Sequence, residues 1–207
     1  MTITPILNTK QLILRPFSPN DADALFALLQ DEAVSRFIPI FPPKTMEEAV
    51  KLLQERYLRK ESEGYAFAIC LKSDDIPIGY VTVSGDESHD LGYALRKDFW
   101  GRGIATEACK EVVKLLRESG IPYITATHDI NNPKSGEVMK RLGMIYQYSY
   151  KERWQPKDIL VTFRMYQLTF DGQNDRTFLK YWEQYPVHFV EKIGGQGECF
   201  SPVGTNR

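Results

Sequence analysis

With 207 residues, 43% of them apolar, the chain is long enough to bury one substantial core, and a single domain is the simplest reading. A net charge of −1, with acidic and basic residues interspersed, excludes the basic footprint of a nucleic-acid binder or a membrane-surface protein. Cys70, Cys109 and Cys199 form no CxxC pair, which argues against a zinc knuckle, a redox dithiol or a disulfide framework. The start MTITPILNTKQLILRPF has no signal-peptide pattern, and no stretch approaches the roughly 20 apolar residues of a spanning helix, so a soluble, cytoplasmic protein is expected.

In chain order, TKQLILRPF alternates apolar and polar residues and predicts a strand closed by Pro16. Ser18, Pro19 and Asp21 then predict a helix start, with Ala22, Leu25, Phe26 and Leu29 on one face, and the proline-rich IPIFPPK ends it. Thr45 and Glu48 make a capping box for a second helix running to about Gly64. YAFAICLK, IPIGYVTVS and DLGYALR predict three antiparallel strands, joined by SDD and GDESH. Ala105, Ala108, Cys109, Val112, Val113 and Leu116 recur at helical spacing, and Gly120 and Pro122 stop that helix. YITATHD predicts a strand, SGEVMKRLG a short helix ending at Gly143, and MIYQYSYKERW and ILVTFRMYQLTF two long strands around QPKD.

Residues 171–207 differ in character: Phe178, Leu179, Trp182 and Tyr185 suit a helix face, whereas GGQGE and SPVGTNR suit loose ends. The expected organisation is a domain over 1–170 with a C-terminal extension, 171–207, packed on it. A lid or a homodimer contact are the other readings of that aromatic tail.

The stretch FWGRGIATEACKEVV places two glycines, with an arginine between them, directly before the amphipathic helix. Backbone N–H groups at a helix N-terminus have no intrahelical acceptor and sit at the positive end of the dipole, so they suit an anion. Gly101 and Gly103 clear the approach, and Arg102 can add charge from the rim. The same pair also suits an ordinary tight turn. It is neither a P-loop nor a dinucleotide fingerprint, since no Gly-Lys-Ser/Thr ends the run and GxGxxG is missing.

The order of elements, together with LGYALRKDFWGRGIATEA and NNPKSGEVMKRLGM, resembles the GNAT superfamily of N-acetyltransferases over about residues 8–170, and within it the RimJ/RimL branch. That resemblance implies a mixed α/β fold with a central, mostly antiparallel twisted sheet flanked by helices. It also implies acetyl-CoA as cosubstrate and transfer of its acetyl group to a primary amine by direct attack in a ternary complex. The acceptor would be a protein N-terminal amino group or a small-molecule amine. The family's pyrophosphate signature, Arg/Gln-x-x-Gly-x-Gly/Ala, aligns with Trp100 to Ala105, with tryptophan in the first place. The implied cofactor residues are Tyr93, Ala94 and Leu95 by their main chain, Arg102, Gly103, Ile104, Ala105 and Thr106 at the turn, and Asn132 by its side chain.

An alkyl amine titrates near about 10.4, so only roughly one molecule in a thousand is uncharged at neutral pH and a proton acceptor is required. The resemblance places Asp90 where the branch carries Glu, as base, alone or through water; GDESHD is equally a solvated hairpin turn. The family's tyrosine acid aligns with Met139, which cannot donate a proton, leaving Ser135 as the candidate donor to the thiolate. His89 and His128 are lesser candidates, and Glu107 is read as stabilising its helix. The Met139 departure leaves a second reading, a non-catalytic acyl-CoA sensor of the same fold.

Overall fold

The computed structural model describes residues 4–58 and 64–192. The end of the second predicted helix, Cys199 and the GGQGE and SPVGTNR stretches lie outside the described residues.

Among the described residues, nine strands form two antiparallel sheets. The first contains, in spatial order, β1 (Leu7–Asn8), β2 (Leu12–Pro16), β3 (Gly64–Leu71), β4 (Pro77–Ser84) and β5 (Leu91–Leu95). The second runs β6 (Tyr123–Asp129), β8 (Ile159–Thr169), β7 (Ile145–Trp154) and β9 (His188–Phe189). Helices α1 (Ala22–Leu29), α2 (Glu32–Ser35) and α3 (Met46–Leu52, continued by a wider turn to Tyr57) follow β2. The long α4 (Ile104–Glu118) and α5 (Pro133–Arg141) flank β6 in the chain, and α6 (Lys180–Gln184) lies in the tail.

The period of two in β3 explains how one strand serves two cores: Phe67 and Ile69 face the α4 side, whereas Ala68 and Cys70 face the α1 and α3 side. On α4, Ile104, Ala108, Cys109, Val112, Val113 and Leu116 are buried, the stripe that the 3.6-residue period places on one face. A third cluster, Tyr148, Tyr150, Val161, Phe163, Met165 and Phe178, joins β7 and β8 to the tail.

The first helix begins through a 3-10 turn, Pro19–Asp21, in which Asp21 accepts from the Ser18 N–H at 2.7 Å. Arg15 clamps the same carboxylate with two nitrogens, at 2.8 and 2.9 Å, and ties β2 to α1. Three elements escape the sequence reading. β1 and β9 are each two residues long, too short for a periodic signal, and α2 is a four-residue turn capped by Asp31, lying before the IPIFPPK link. The short helix also starts earlier than SGEVMKRLG implies, because Pro133 occupies its first turn, where a missing N–H costs nothing. In the tail the helix is confined to Lys180–Gln184, so Phe178 and Leu179 precede it and Tyr185 follows it.

Candidate active site

The two sheets meet along β5 and β6 and then part. Asp90 and Thr125 make a parallel bridge at one end, where the Ser88 carbonyl accepts from the Thr125 N–H at 3.3 Å and from its hydroxyl at 2.9 Å. Beyond that point β5 pairs only with β4, and β6 only with β8. The ladder to β4 includes Ser84 N–H to Asp90 O and Arg96 N–H to Ile78 O, so even-numbered residues turn their main-chain groups to β4. Tyr93 and Leu95 therefore turn theirs into the gap. Ala94, expected to face the cofactor arm with its main chain, directs those groups to β4 instead. The Leu95 carbonyl is occupied by the Trp100 indole N–H at 2.8 Å, which gives the tryptophan at the head of the glycine signature a structural role.

At the far end of β5 the chain turns through Gly101 and Gly103, with φ of +75° and +77°, conformations that glycine adopts without a Cβ penalty. A Cβ built on either would meet nothing within 4 Å, so the space over the turn is open. Gly103 is the N-cap of α4 and provides no side-chain cap, which leaves the N–H groups of Ile104, Ala105 and Thr106 without acceptors inside the helix. Two cations flank the opening: the Arg102 guanidinium lies 5.3 Å from the Phe99 ring centre, and the Lys134 ammonium 5.9 Å from that of Trp100. An open surface of donors with nearby positive charge fits a diphosphate.

Across the gap, Asn132 caps α5 through its backbone, and its side chain makes no capping hydrogen bond. That amide is thus available to a ligand. Ser135 meets β5 directly: the Tyr93 hydroxyl donates to the Ser135 carbonyl at 2.7 Å and lies 2.9 Å from its hydroxyl. Burial pushes the Tyr93 phenol far above its ordinary range, so it stays protonated. Met139 is buried in the core under α5, away from any proton-transfer role.

Asp90 closes the other end of the gap. Part of the residue reaches solvent, but its Oδ1 is enclosed and has no hydrogen-bond partner. Burial pushes the carboxyl up to about 7, with Asp86 adding to the rise and Thr125 opposing it. The turn that carries it is rigid: Asp86 accepts from the Ser88 N–H at 2.9 Å and from the Ser84 hydroxyl at 3.0 Å, and Ser84 accepts from the Asp90 N–H at 2.8 Å. GDESHD is therefore a structured turn with one carboxylate directed inward.

The lesser candidates lie elsewhere. His128 is buried against α5, where a Cβ on Gly136 would come within 2.6 Å of its Nε2, and burial lowers its pKa. His89 packs edge-on against Tyr123 at 5.9 Å. Glu107 binds Gln11, through the backbone N–H at 3.3 Å and the side-chain amide at 2.7 Å, and fastens α4 to the β1–β2 turn. A cavity of about 390 Å³ opens between α1 and the 96–98 turn, lined by Leu28, Asp31, Arg96, Lys97 and Asp98, and includes neither Asp90 nor Ser135.

Sequence reasoning missed the Tyr93 hydroxyl, Lys134, and Lys157, whose ammonium sits on the Ser35 and Arg36 carbonyls at 2.7 and 3.1 Å. The last contact joins the β7–β8 hairpin to α2. Only the inward parity of Tyr93 on a strand could have been read beforehand.

The family model described as "Acetyltransferase (GNAT) domain" matches residues 11–145. YnaD of Bacillus subtilis (strain 168), an uncharacterized N-acetyltransferase, is 26% identical over 152 residues, covering 70% of this chain and 86% of the relative. A GNAT-family acetyltransferase from Bacillus anthracis superposes with a TM-score of 0.71 at 20% identity, covering 81% of this chain and 99% of that one. RimL, a ribosomal L7/L12 alpha-N-protein acetyltransferase solved with coenzyme A, gives 0.71 at 19% identity, covering 82% and 100%. Among the described residues, no helix is long and apolar enough to cross a membrane, and no cluster of three potential metal ligands occurs.

Proposed function

From the premise that the chain belongs to the GNAT acetyltransferase family and is an acetyl-CoA-dependent N-acetyltransferase, we propose that Asp90 and the Tyr93–Ser135 pair serve acetyl transfer to a primary amine. The acceptor class we favour is a peptide N-terminal amino group or a small cationic amine, in line with the name of the RimL neighbour and with the acids at 86–90. The observation that carries this reading is the enclosed Asp90 carboxyl, one oxygen of which has no hydrogen-bond partner, at the end of a gap whose other end is an open set of N–H donors.

Acetyl-CoA supplies a thioester whose acyl carbon is open to a neutral amine. Arg102, Gly103, Ile104, Ala105 and Thr106 hold the diphosphate with their N–H groups, and Asn132 contacts the arm with its amide. The main-chain groups of Tyr93 and the Leu95 N–H pair with the arm as an added strand would, and a gap-facing N–H polarises the carbonyl. Ala94 supports this edge through its bonds to β4. Asp90 takes the ammonium proton, directly or through one water, as a carboxyl near neutrality can. The amine nitrogen bonds to the acyl carbon, the carbon–sulfur bond breaks, and the departing thiolate takes a proton from the Ser135 hydroxyl, which recovers it from the acylated nitrogen; the Tyr93 hydroxyl, protonated throughout, orients Ser135.

A mass-spectrometric screen of peptides, polyamines and aminoglycosides with acetyl-CoA tests the proposal. The expected result is a product heavier by one acetyl group, with equal release of CoA thiol. Cofactor binding without thiol release across the whole panel would favour the sensor reading instead.

A further inference from the structure

Beyond residue 170 the chain folds back over β7. Gln167 fixes the start of this segment, donating to the Arg176 carbonyl at 2.7 Å and accepting from the Phe178 N–H at 2.9 Å, while the Tyr148 hydroxyl holds the Phe178 carbonyl at 2.8 Å. Glu191 fixes its far end through Arg164, with Nε to Oε1 at 3.0 Å, and through the Tyr146 hydroxyl, which accepts from the Glu191 N–H at 2.9 Å. Between these clamps Tyr150 is stacked with Tyr181 at 5.2 Å and with Tyr185 at 4.9 Å.

The same segment reaches the turn that carries Asp90. Lys180 pairs with Glu87 at 3.1 Å, and the Tyr181 hydroxyl faces the Ser88 side chain. Five groups interact with the Asp90 carboxyl through a hydrogen bond or through its charge: Asp86 of its own turn, Tyr93 on β5, Thr125 on β6, Tyr150 on β7 and Tyr181 on α6. None is a cation. Aromatic rings exclude water without supplying a counter-charge, and their faces attract an approaching ammonium group. The family match ends at residue 145, so Tyr150 and Tyr181 lie beyond the matched residues, whereas Asp86, Asp90, Tyr93 and Thr125 lie within them.

We propose that Phe178–Tyr185 forms the acceptor-side wall of the active site, with Tyr181 as a positioning residue whose ring keeps water from the Asp90 carboxylate. The inference rests on the reading of Asp90 as the base. The wall keeps the carboxylate dry enough to accept a proton at neutral pH, and it selects an alkylammonium acceptor whose stem can lie along tyrosine.

The test is a carbon-13 titration of the Asp90 carboxyl in the wild-type protein, Tyr181→Phe, Tyr181→Leu and Tyr181→Ala. Asp90→Asn supplies the assignment, and calorimetry checks that CoA affinity is unchanged. The wild-type midpoint is expected at about 7. Tyr181→Phe keeps the ring and the midpoint, whereas Tyr181→Ala admits water and lowers it by about one unit or more. Tyr181→Leu, which preserves apolar volume and folding, lowers it by less and decides the matter if the alanine variant does not fold. The acidic limb of kcat/KM should move with the midpoint. A midpoint unchanged in both the leucine and alanine variants overturns the proposal. If the midpoint falls but Asp90→Asn retains full turnover, the wall stands and the assignment of the base is what fails.

Discussion

The two ends of the β5–β6 gap use opposite physical means. At the glycine turn, donors are left open: two glycines hold positive φ, no side chain covers them, and the N–H groups of α4 face free space. At Asp90 an acceptor is enclosed, one of its oxygens is left without a partner, and five groups from the turn, β5, β6, β7 and α6 bond to it or feel its charge. Exposed donors suit a large, solvated, multiply charged ligand, because the helix dipole and cations act without first stripping the site of water. An enclosed carboxylate suits proton transfer, because desolvation brings its pKa to the operating pH. The lesson is that binding and chemistry separate along this gap.

The sharpest way to break the comparison is Asp90→Asn, which should lower kcat about 10²- to 10³-fold while leaving CoA affinity unchanged. Steady-state rates on one fixed amine, with calorimetry for CoA, check both halves. Gly103→Val attacks the other end. A β-branched residue at φ +77° is strained and its side chain fills the open space, so acetyl-CoA affinity should fall about 10- to 100-fold with kcat at saturation little altered.

Tyr93→Phe should reduce kcat by about 10-fold, and combination with Ser135→Ala should cost less than the product of the single effects, because the two hydroxyls form one unit. A double-mutant cycle on kcat reads that coupling.

The smallest expected effect is on stability. An Asp in an unfolded chain titrates near about 3.9, and the folded Asp90 near 7, so the folded state holds the proton more tightly. The stability contributed by the neutral carboxyl is full below pH 4 and is lost as pH rises through 7. Asp90→Asn, neutral at every pH, should therefore be more stable than wild type at pH 8 by about 1–2 kcal/mol, with the difference vanishing near pH 4. Urea melts at the two pH values measure it.

Much of this architecture was legible because it is written in local periods. Strands β3 to β5 follow from strand-like runs separated by turn residues and helix α4 from the spacing Ala108, Cys109, Val112, Val113, Leu116, and the face of α4 that this spacing marks is the buried one. The glycine turn was legible for the same reason, since positive φ, the missing cap and the following helix are all encoded within a few consecutive residues. What escaped was either too short to have a period, as with β1 and α2, or a matter of parity, as with the direction of the Ala94 main chain.

By itself, then, the sequence determined the order of the longer strands and helices, the apolar face of α4 and the place where backbone donors collect, because these depend on residues close along the chain. Only the tertiary structure decided that Tyr93 meets Ser135, that Trp100 closes on Leu95, and that Tyr150 and Tyr181 feel the charge of Asp90. Those pairs are 42, 5, 60 and 91 positions apart. The raised carboxyl is a property of what excludes water from it, and no local pattern records which distant rings arrive there once two sheets and a tail have packed.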